Sequence, residues 1–191
     1  GAAQMNVVEL HTWNALAKSV EKPDRVIFDL HPDPVLPWER VVEAAKLTRT
    51  LLVELGLQGF LKTSGGKGLH IVVPLLRKHA WNVAKDFAEA VSRHMARTIP
   101  DRFSAKMGPK NRIGRVFVDY LRNGRCATTV CAFSARARAG IPVSVPISWD
   151  ELETLSRSDQ WNILTVHDYL AARKKNPWAN YEKSRQSLSQ A

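Results

Sequence analysis

The sequence predicts an α+β domain, a mixed or antiparallel sheet with helices packed on it. Three observations carry that prediction. Short apolar strands alternate with two longer stretches of helical spacing. Two of the strands flank a glycine-rich turn, as in a hairpin. Hydrophobic residues make up 45% of the 191 positions, enough for one packed core. No repeat or linker divides the chain, so residues 1–191 read as one domain.

Residues 7–11 read as a first strand, with Trp13 just beyond. Residues 25–30 form a second. Side chains two apart in a strand share a face, so Val26, Phe28 and Leu30 point to a core while Ile27, Asp29 and His31 point away from it. Pro32 should stop this strand. A helix follows over 38–55, with Val41, Val42, Ala45, Leu52 and Leu55 at helical spacing, Pro37 at its start and Gly56 at its end. Strands at 59–63 and 69–74 surround the glycine turn. Residues 80–99 form an amphipathic helix with Ala84, Phe87, Ala88, Val91 and Met95 on one stripe. Residues 104–112 are basic and irregular. The strand at 115–121 sets Val116, Val118 and Tyr120 against Phe117 and Asp119. Another strand spans 127–133, an extended piece spans 143–147, and 149–152 reads as a helix start. Helices are expected over 166–173 and 178–188, split at Asn176-Pro177. The order suits a ferredoxin-like or RNA-recognition plan, with Asp29, His70 and Asp119 together on the open face.

With 28 Lys and Arg against 18 Asp and Glu, the net charge is +10. That favours a polyanionic partner: nucleic acid, nucleotides or an anionic membrane surface. No apolar run approaches the roughly 20 residues of a membrane span, and no signal peptide opens the chain. Cys126 and Cys131, five apart in one extended segment, fall on opposite faces. A bridge between them is not expected, they lack metal spacing, and a reduced cytosolic setting follows. The start, Gly1-Ala2-Ala3-Gln4, reads as a cut inside a longer protein.

Four groups of residues carry chemistry. Asp29 and His31 sit side by side at a strand end. They are either a solvated turn or a cation site, the imidazole shifting preference from Mg²⁺ toward Mn²⁺ or a later metal. Asp119 is the one acid among nine Lys and Arg between residues 102 and 138. It is either an ion-pair partner or a ligand to a metal that bridges acid and phosphate. Ser64-Gly65-Gly66-Lys67-Gly68-Leu69-His70 lacks the spacing of a Walker A loop, yet its backbone N–H groups can form an anion nest, with Lys67, Ser64 and His70 beside it. Arg136 and Arg138 share a face in an extended segment and suit a triphosphate, or else guard a sheet edge. His11 is a weaker candidate that could stack on a base.

Taken in order, these motifs resemble a known family. A His-x-Trp strand is followed by Asp29-Leu30-His31-Pro32, by Ser-Gly-Gly-Lys-Gly-x-His, by Phe-Val-Asp-Tyr-x-Arg-Asn and by Ser-x-Arg-x-Arg. The order is similar to the polymerase domain of bacterial end-joining DNA ligase D, in the archaeo-eukaryotic primase superfamily. The resemblance implies a primase-like catalytic core and a metal-dependent nucleotidyltransferase. Such an enzyme adds NTPs or dNTPs to primer ends or gapped DNA at double-strand breaks, in a bacterial cytoplasm at the nucleoid, beside a fused ligase domain and an end-binding protein. Asp29 and Asp119 fall on metal-binding acids of the family, whose two divalent ions clamp the attacking hydroxyl and the leaving pyrophosphate. Ser64, Lys67, His70, Arg112 and Arg136 fall on triphosphate-holding positions, with Arg138 and His11 in or beside the active centre.

Two departures stand out. His31 replaces the second acid of the family's Asp-Leu-Asp-Pro motif, which predicts weak or absent Mg²⁺-dependent synthesis, with Mn²⁺ the ion for any that is retained. The chain also reads as lacking the N-terminal part usual in the family, either as a natural minimal form or as a piece of a longer protein. The competing readings are a catalytically impaired member that binds nucleotide or DNA, and a generic RNA-recognition-like module.

Overall fold

The alternation in residues 25–31 sorts one strand into two faces, and the rest of the fold is arranged on them. The computed structural model describes residues 1–188. Its elements, in chain order, are β1 (His11–Thr12), β2 (Arg25–Pro32), α1 (Trp38–Glu54), β3 (Phe60–Thr63), β4 (Leu69–Pro74), α2 (Trp81–Thr98), β5 (Phe103–Ser104), β6 (Val116–Asp119), β7 (Thr129–Val130), β8 (Pro146–Ile147) and α3 (Val166–Ala172). Six strands form one mixed sheet in the order β5-β6-β2-β4-β3-β8. Only β5 and β6 run parallel. The unit β2-α1-β3-β4-α2-β6 supplies the inner order β6-β2-β4-β3, the ferredoxin-like plan read from the sequence. β1 and β7 form a separate two-stranded ladder.

Val26, Phe28 and Leu30 of β2 are fully buried in one cluster with Leu69, Ile71 and Val73 of β4 and Val116 and Val118 of β6. Ala44, Ala45 and Leu52 of α1 and Ala84, Ala88, Val91 and Met95 of α2 complete it. Each Val, Leu or Phe buried in this way stabilises the fold by about 1.5–3 kcal/mol. The small alanines let both helices lie close to the sheet. Beyond the end of β6, Asn123 continues the pairing with its side chain. Its amide accepts from the Ile27 N–H at 2.8 Å and donates to the Ile27 carbonyl at 2.8 Å.

Several sequence expectations are corrected. β2 is longer than the expected 25–30: it takes in His31 and Pro32 and ends at Pro32, where the sequence placed its stop. The Asp33 N–H donates to the Arg115 carbonyl on the β6 side, so the Pro32 nitrogen faces the other way, where pairing with β4 has already ended at Leu30–Leu69. No donor is missed there. The strand expected over 7–11 shrinks to His11–Thr12, and its partner over 127–133 shrinks to Thr129–Val130. Left-handed backbone at Asn6, Cys126 and Phe133 brackets both. Cys126 therefore lies outside the strand, and both cysteines are free. Residues 178–188 do not form a helix. Trp178 stacks on Tyr181 at 4.9 Å, one 3₁₀ turn follows at Glu182–Ser184, and Gln186 then pairs in extended form beside Leu75. The helix start expected at 149–152 is a 3₁₀ turn, Glu151–Glu153. Among the described residues no helix is long and apolar enough to cross a membrane.

Candidate active site

Strand register builds the centre of the site. Across four strands Asp119 pairs with Asp29, Asp29 with His70, and His70 with Lys62. All four side chains project from the face opposite the core, and all are nearly fully buried. His31, two residues after Asp29, shares that face and stacks on Phe117. Its Nε2 lies 3.0 Å from Asp29 Oδ2 and 3.9 Å from Asp119 Oδ2. Asp119 is anchored by the Leu121 N–H at 2.8 Å and by Arg122 Nε at 3.2 Å.

The charges are coupled. Burial alone would raise the Asp29 pKa, but His70 and His31 outweigh it and hold the carboxyl well below its usual range. Burial, reinforced by Asp29, raises Asp119 against the pull of Leu121 N–H and Arg122. Burial pushes His70 down to about 4, so this imidazole is neutral. His31 goes the other way: burial lowers it, yet Asp29 and Asp119 outweigh that and raise it. Burial also pushes the Lys62 ammonium down to about 7, with Asp29 opposing. Lys62 Nζ donates to Ser144 Oγ at 2.7 Å.

The donor set fits a cation. One ligand atom each from Asp29, His31 and Asp119 can be chosen within 4.8 Å of one another. Asp29 Oδ1 is buried without an aligned hydrogen bond, although His70 Nε2 stands 3.2 Å away. A buried carboxylate oxygen left in this way suits a ligand that the protein itself does not supply.

Loops build the surrounding wall. Every residue proposed from the sequence except Asp119 lines a single cavity of about 570 Å³. Gly65 takes a left-handed turn (φ +63°) that lets the loop fold back on itself, and Ser64 Oγ accepts the Gly66 N–H at 3.2 Å. Gly68 touches the neighbouring strand: a Cβ there would meet the Leu30 carbonyl oxygen at 2.0 Å. Arg138 lies over Gly66. Arg136 donates to the Ser64 carbonyl, and its Nε sits 2.8 Å from Glu9 Oε1. The same Glu9 oxygen is 2.5 Å from His11 Nε2, and Glu9 Oε2 accepts the Ala137 N–H at 2.9 Å. Lys67 is exposed and Arg112 half-buried at the rim.

The sequence reading missed Lys62, Glu9 and Ser158. Ser158 is buried and bridges the Ser64 N–H and the Gly68 carbonyl. Its signal is absent from the sequence because the loop contact spans more than ninety residues. His70 was expected to donate to a phosphate; its Nε2 stands 3.2 Å from Asp29 Oδ1, and its buried Nδ1 has no hydrogen-bond partner among the described residues.

Comparisons with known proteins point one way. The family described as LigD, primase-polymerase domain, matches residues 1–178. The multifunctional non-homologous end joining protein LigD of Pseudomonas aeruginosa is 55% identical over the whole of this chain, which spans 23% of that protein. The corresponding protein of Mycolicibacterium smegmatis is 30% identical over 85% of this chain and 23% of its own length. Among solved structures, the polymerase domain of Mycobacterium tuberculosis ligase D in complex with DNA superposes with a TM-score of 0.79 at 30% identity, covering 89% of this chain and 62% of that one. The chain thus spans about a quarter of the curated relatives it matches.

Proposed function

This chain belongs to the LigD primase-polymerase domain family, and from that membership we propose that it adds nucleotides to primer ends or gaps in DNA during end joining of double-strand breaks. The observation that carries the reading is the buried row Asp119–Asp29–His70, with His31 beside it, facing a cationic cavity. Asp29, His31 and Asp119 would hold a divalent ion, which when bound neutralises phosphate charge and acidifies the attacking 3′-hydroxyl. This donor set offers two carboxylates and one nitrogen, so Mn²⁺ suits it better than Mg²⁺.

The chain's own residues do the positioning. Arg136, Arg138, Lys67 and Arg112 surround the space for an incoming triphosphate, and Ser64 shapes the glycine loop beside it. We assign His70 to orienting Asp29 rather than to phosphate. Arg122 holds Asp119 in the same way. Positioning and positive charge supply most of phosphoryl-transfer catalysis. A fused ligase domain and an end-binding protein would present the broken ends.

A second reading has its own observation. His31 Nε2 stands 3.0 Å from Asp29 and faces Asp119, so the imidazole fills part of the space between the acids. On that reading the domain binds nucleotide or DNA without joining them. Primer extension on gapped, 5′-phosphorylated DNA separates the two. Mn²⁺-dependent extension that Asp119→Ala lowers about a thousandfold, some 4 kcal/mol, supports the polymerase. His31→Asp should then raise extension with Mg²⁺. Binding without extension in the parent supports the second reading, and extension indifferent to Asp119→Ala sinks both.

A further inference from the structure

The segment 128–138 enters and leaves the wall of the cavity described above. Thr128, Thr129 and Val130 line it at one end, and Arg136 and Arg138 at the other. Between them the chain turns outward at Phe133. This residue has left-handed backbone, φ +65°, which is rare for a bulky side chain. Its backbone is held there, the N–H donating to the Ser144 carbonyl at 2.6 Å. The strained backbone is not compensated by burial, because the ring is 55% exposed. Strain kept at an exposed aromatic points to a use for that ring.

Phe133 borders a second cavity of about 350 Å³. Pro146, Leu170 and Trp178 give it apolar walls, and Lys174 and Lys175 stand at its edge. Both lysines are exposed. Neither has an ion-pair partner among the described residues, whereas the adjacent Arg173 is tied to the Pro146 carbonyl and Glu151. No acidic residue lines the cavity. An exposed aromatic face with two free cations beside it matches the stacking platform by which proteins hold single strands.

We propose that Phe133, Lys174 and Lys175 form a binding site for single-stranded nucleic acid, one base stacking on the ring and flanking phosphates meeting the lysines. The site is separate from the acid row, so it needs neither metal nor nucleotide. The acid-free cationic rim favours a polyanion over a protein segment, which would need only the apolar walls.

Anisotropy of a short fluorescein-labelled oligothymidylate, with EDTA present and no nucleotide, tests it. Phe133→Gly should weaken binding about tenfold, the loss of one stacked base. Its melting temperature should stay level or rise, since glycine accepts the left-handed backbone. Phe133→Trp should keep the affinity. Replacing both lysines by Gln should flatten the slope of log affinity against log salt by about 1.4, two phosphate contacts on a single strand. With EDTA present and no nucleotide the acid row is silent in this assay, while primer extension reads the acid row, so a failed polymerase and a failed platform give different results. Unchanged affinity in Phe133→Gly, an unchanged salt slope, or a clear drop in the melting temperature of Phe133→Gly overturns the proposal.

Discussion

The two ends of the main cavity are built by different means. At the acid end, Asp119, Asp29, His70 and Lys62 occupy one register across β6, β2, β4 and β3. Backbone ladders fix their spacing, and side chains only trim it. At the cationic end, Ser64 comes from one loop, Arg136 and Arg138 from another, and His11 from the short strand β1, joined by side-chain contacts such as those of Glu9. The difference teaches where each end is vulnerable. A change that shifts a strand should damage the first, and loss of a single carboxylate should loosen the second.

Two glycines of one loop put the contrast to the hardest test. A Cβ on Gly68 would lie 2.0 Å from the Leu30 carbonyl oxygen, a backbone atom that can move only with β2. A Cβ on Gly66 would meet the Arg138 Nη1 at 3.3 Å, the tip of a flexible side chain. Urea unfolding should show Gly68→Ala losing about 3 kcal/mol, with Gly66→Ala staying within about 0.5 kcal/mol. Equal losses would mean that the acid end is no more tightly keyed than the loop.

Lys62 gives an effect that depends on pH. Its folded pKa is about 7 against an ordinary 10.5, because burial disfavours the ammonium. Between those values the unfolded chain holds a proton that the folded chain has released. Stability therefore rises with pH from about 7 to 10.5, by up to about 1.4 kcal/mol per unit. Below 7 both states are protonated and the full cost of burying the charge is felt. Lys62→Met should lose that slope and gain stability most at pH 6. Parallel stability–pH curves for parent and variant would show that Lys62 stays charged in the folded row.

The acid end was largely legible in the sequence, and the loop end only in part. Alternation placed Asp29 and His31 opposite Val26, Phe28 and Leu30, and the same rule set Asp119 apart from Val116 and Val118. Lys62 was hidden because it sits inside a short apolar strand; only its pairing with His70 reveals which face it joins. Glu9 was hidden for another reason. Its partners, His11 aside, lie more than 120 residues away, and no local spacing encodes them. The C-terminal segment misled in the opposite sense. Trp178 and Tyr181, three apart, carry a helical period, yet they stack on each other and meet Phe60 edge-on to anchor a turn.

Glu9 supplies the smallest and most discriminating effect. Burial would raise its pKa, but His11, the Ala137 N–H and Arg136 hold it at about 2, so it is ionised at any working pH. One oxygen meets both the His11 ring and the Arg136 guanidinium, and the other fixes the backbone at Ala137. Arg136 is thus aimed by two anchors, Glu9 and the Ser64 carbonyl. Glu9→Gln keeps the size and removes the charge. Arg136 should then wander, and the nucleotide KM should rise about tenfold, near 1.4 kcal/mol, with kcat within about twofold. Stability should fall by no more than about 1–2 kcal/mol, because both side chains are half-buried and Gln still offers a hydrogen-bond acceptor. Glu9→Asp should recover part of the affinity. A fall in kcat at constant KM would place Glu9 with the acid end instead, and the division drawn between backbone-keyed acids and side-chain-keyed cations would have to be given up.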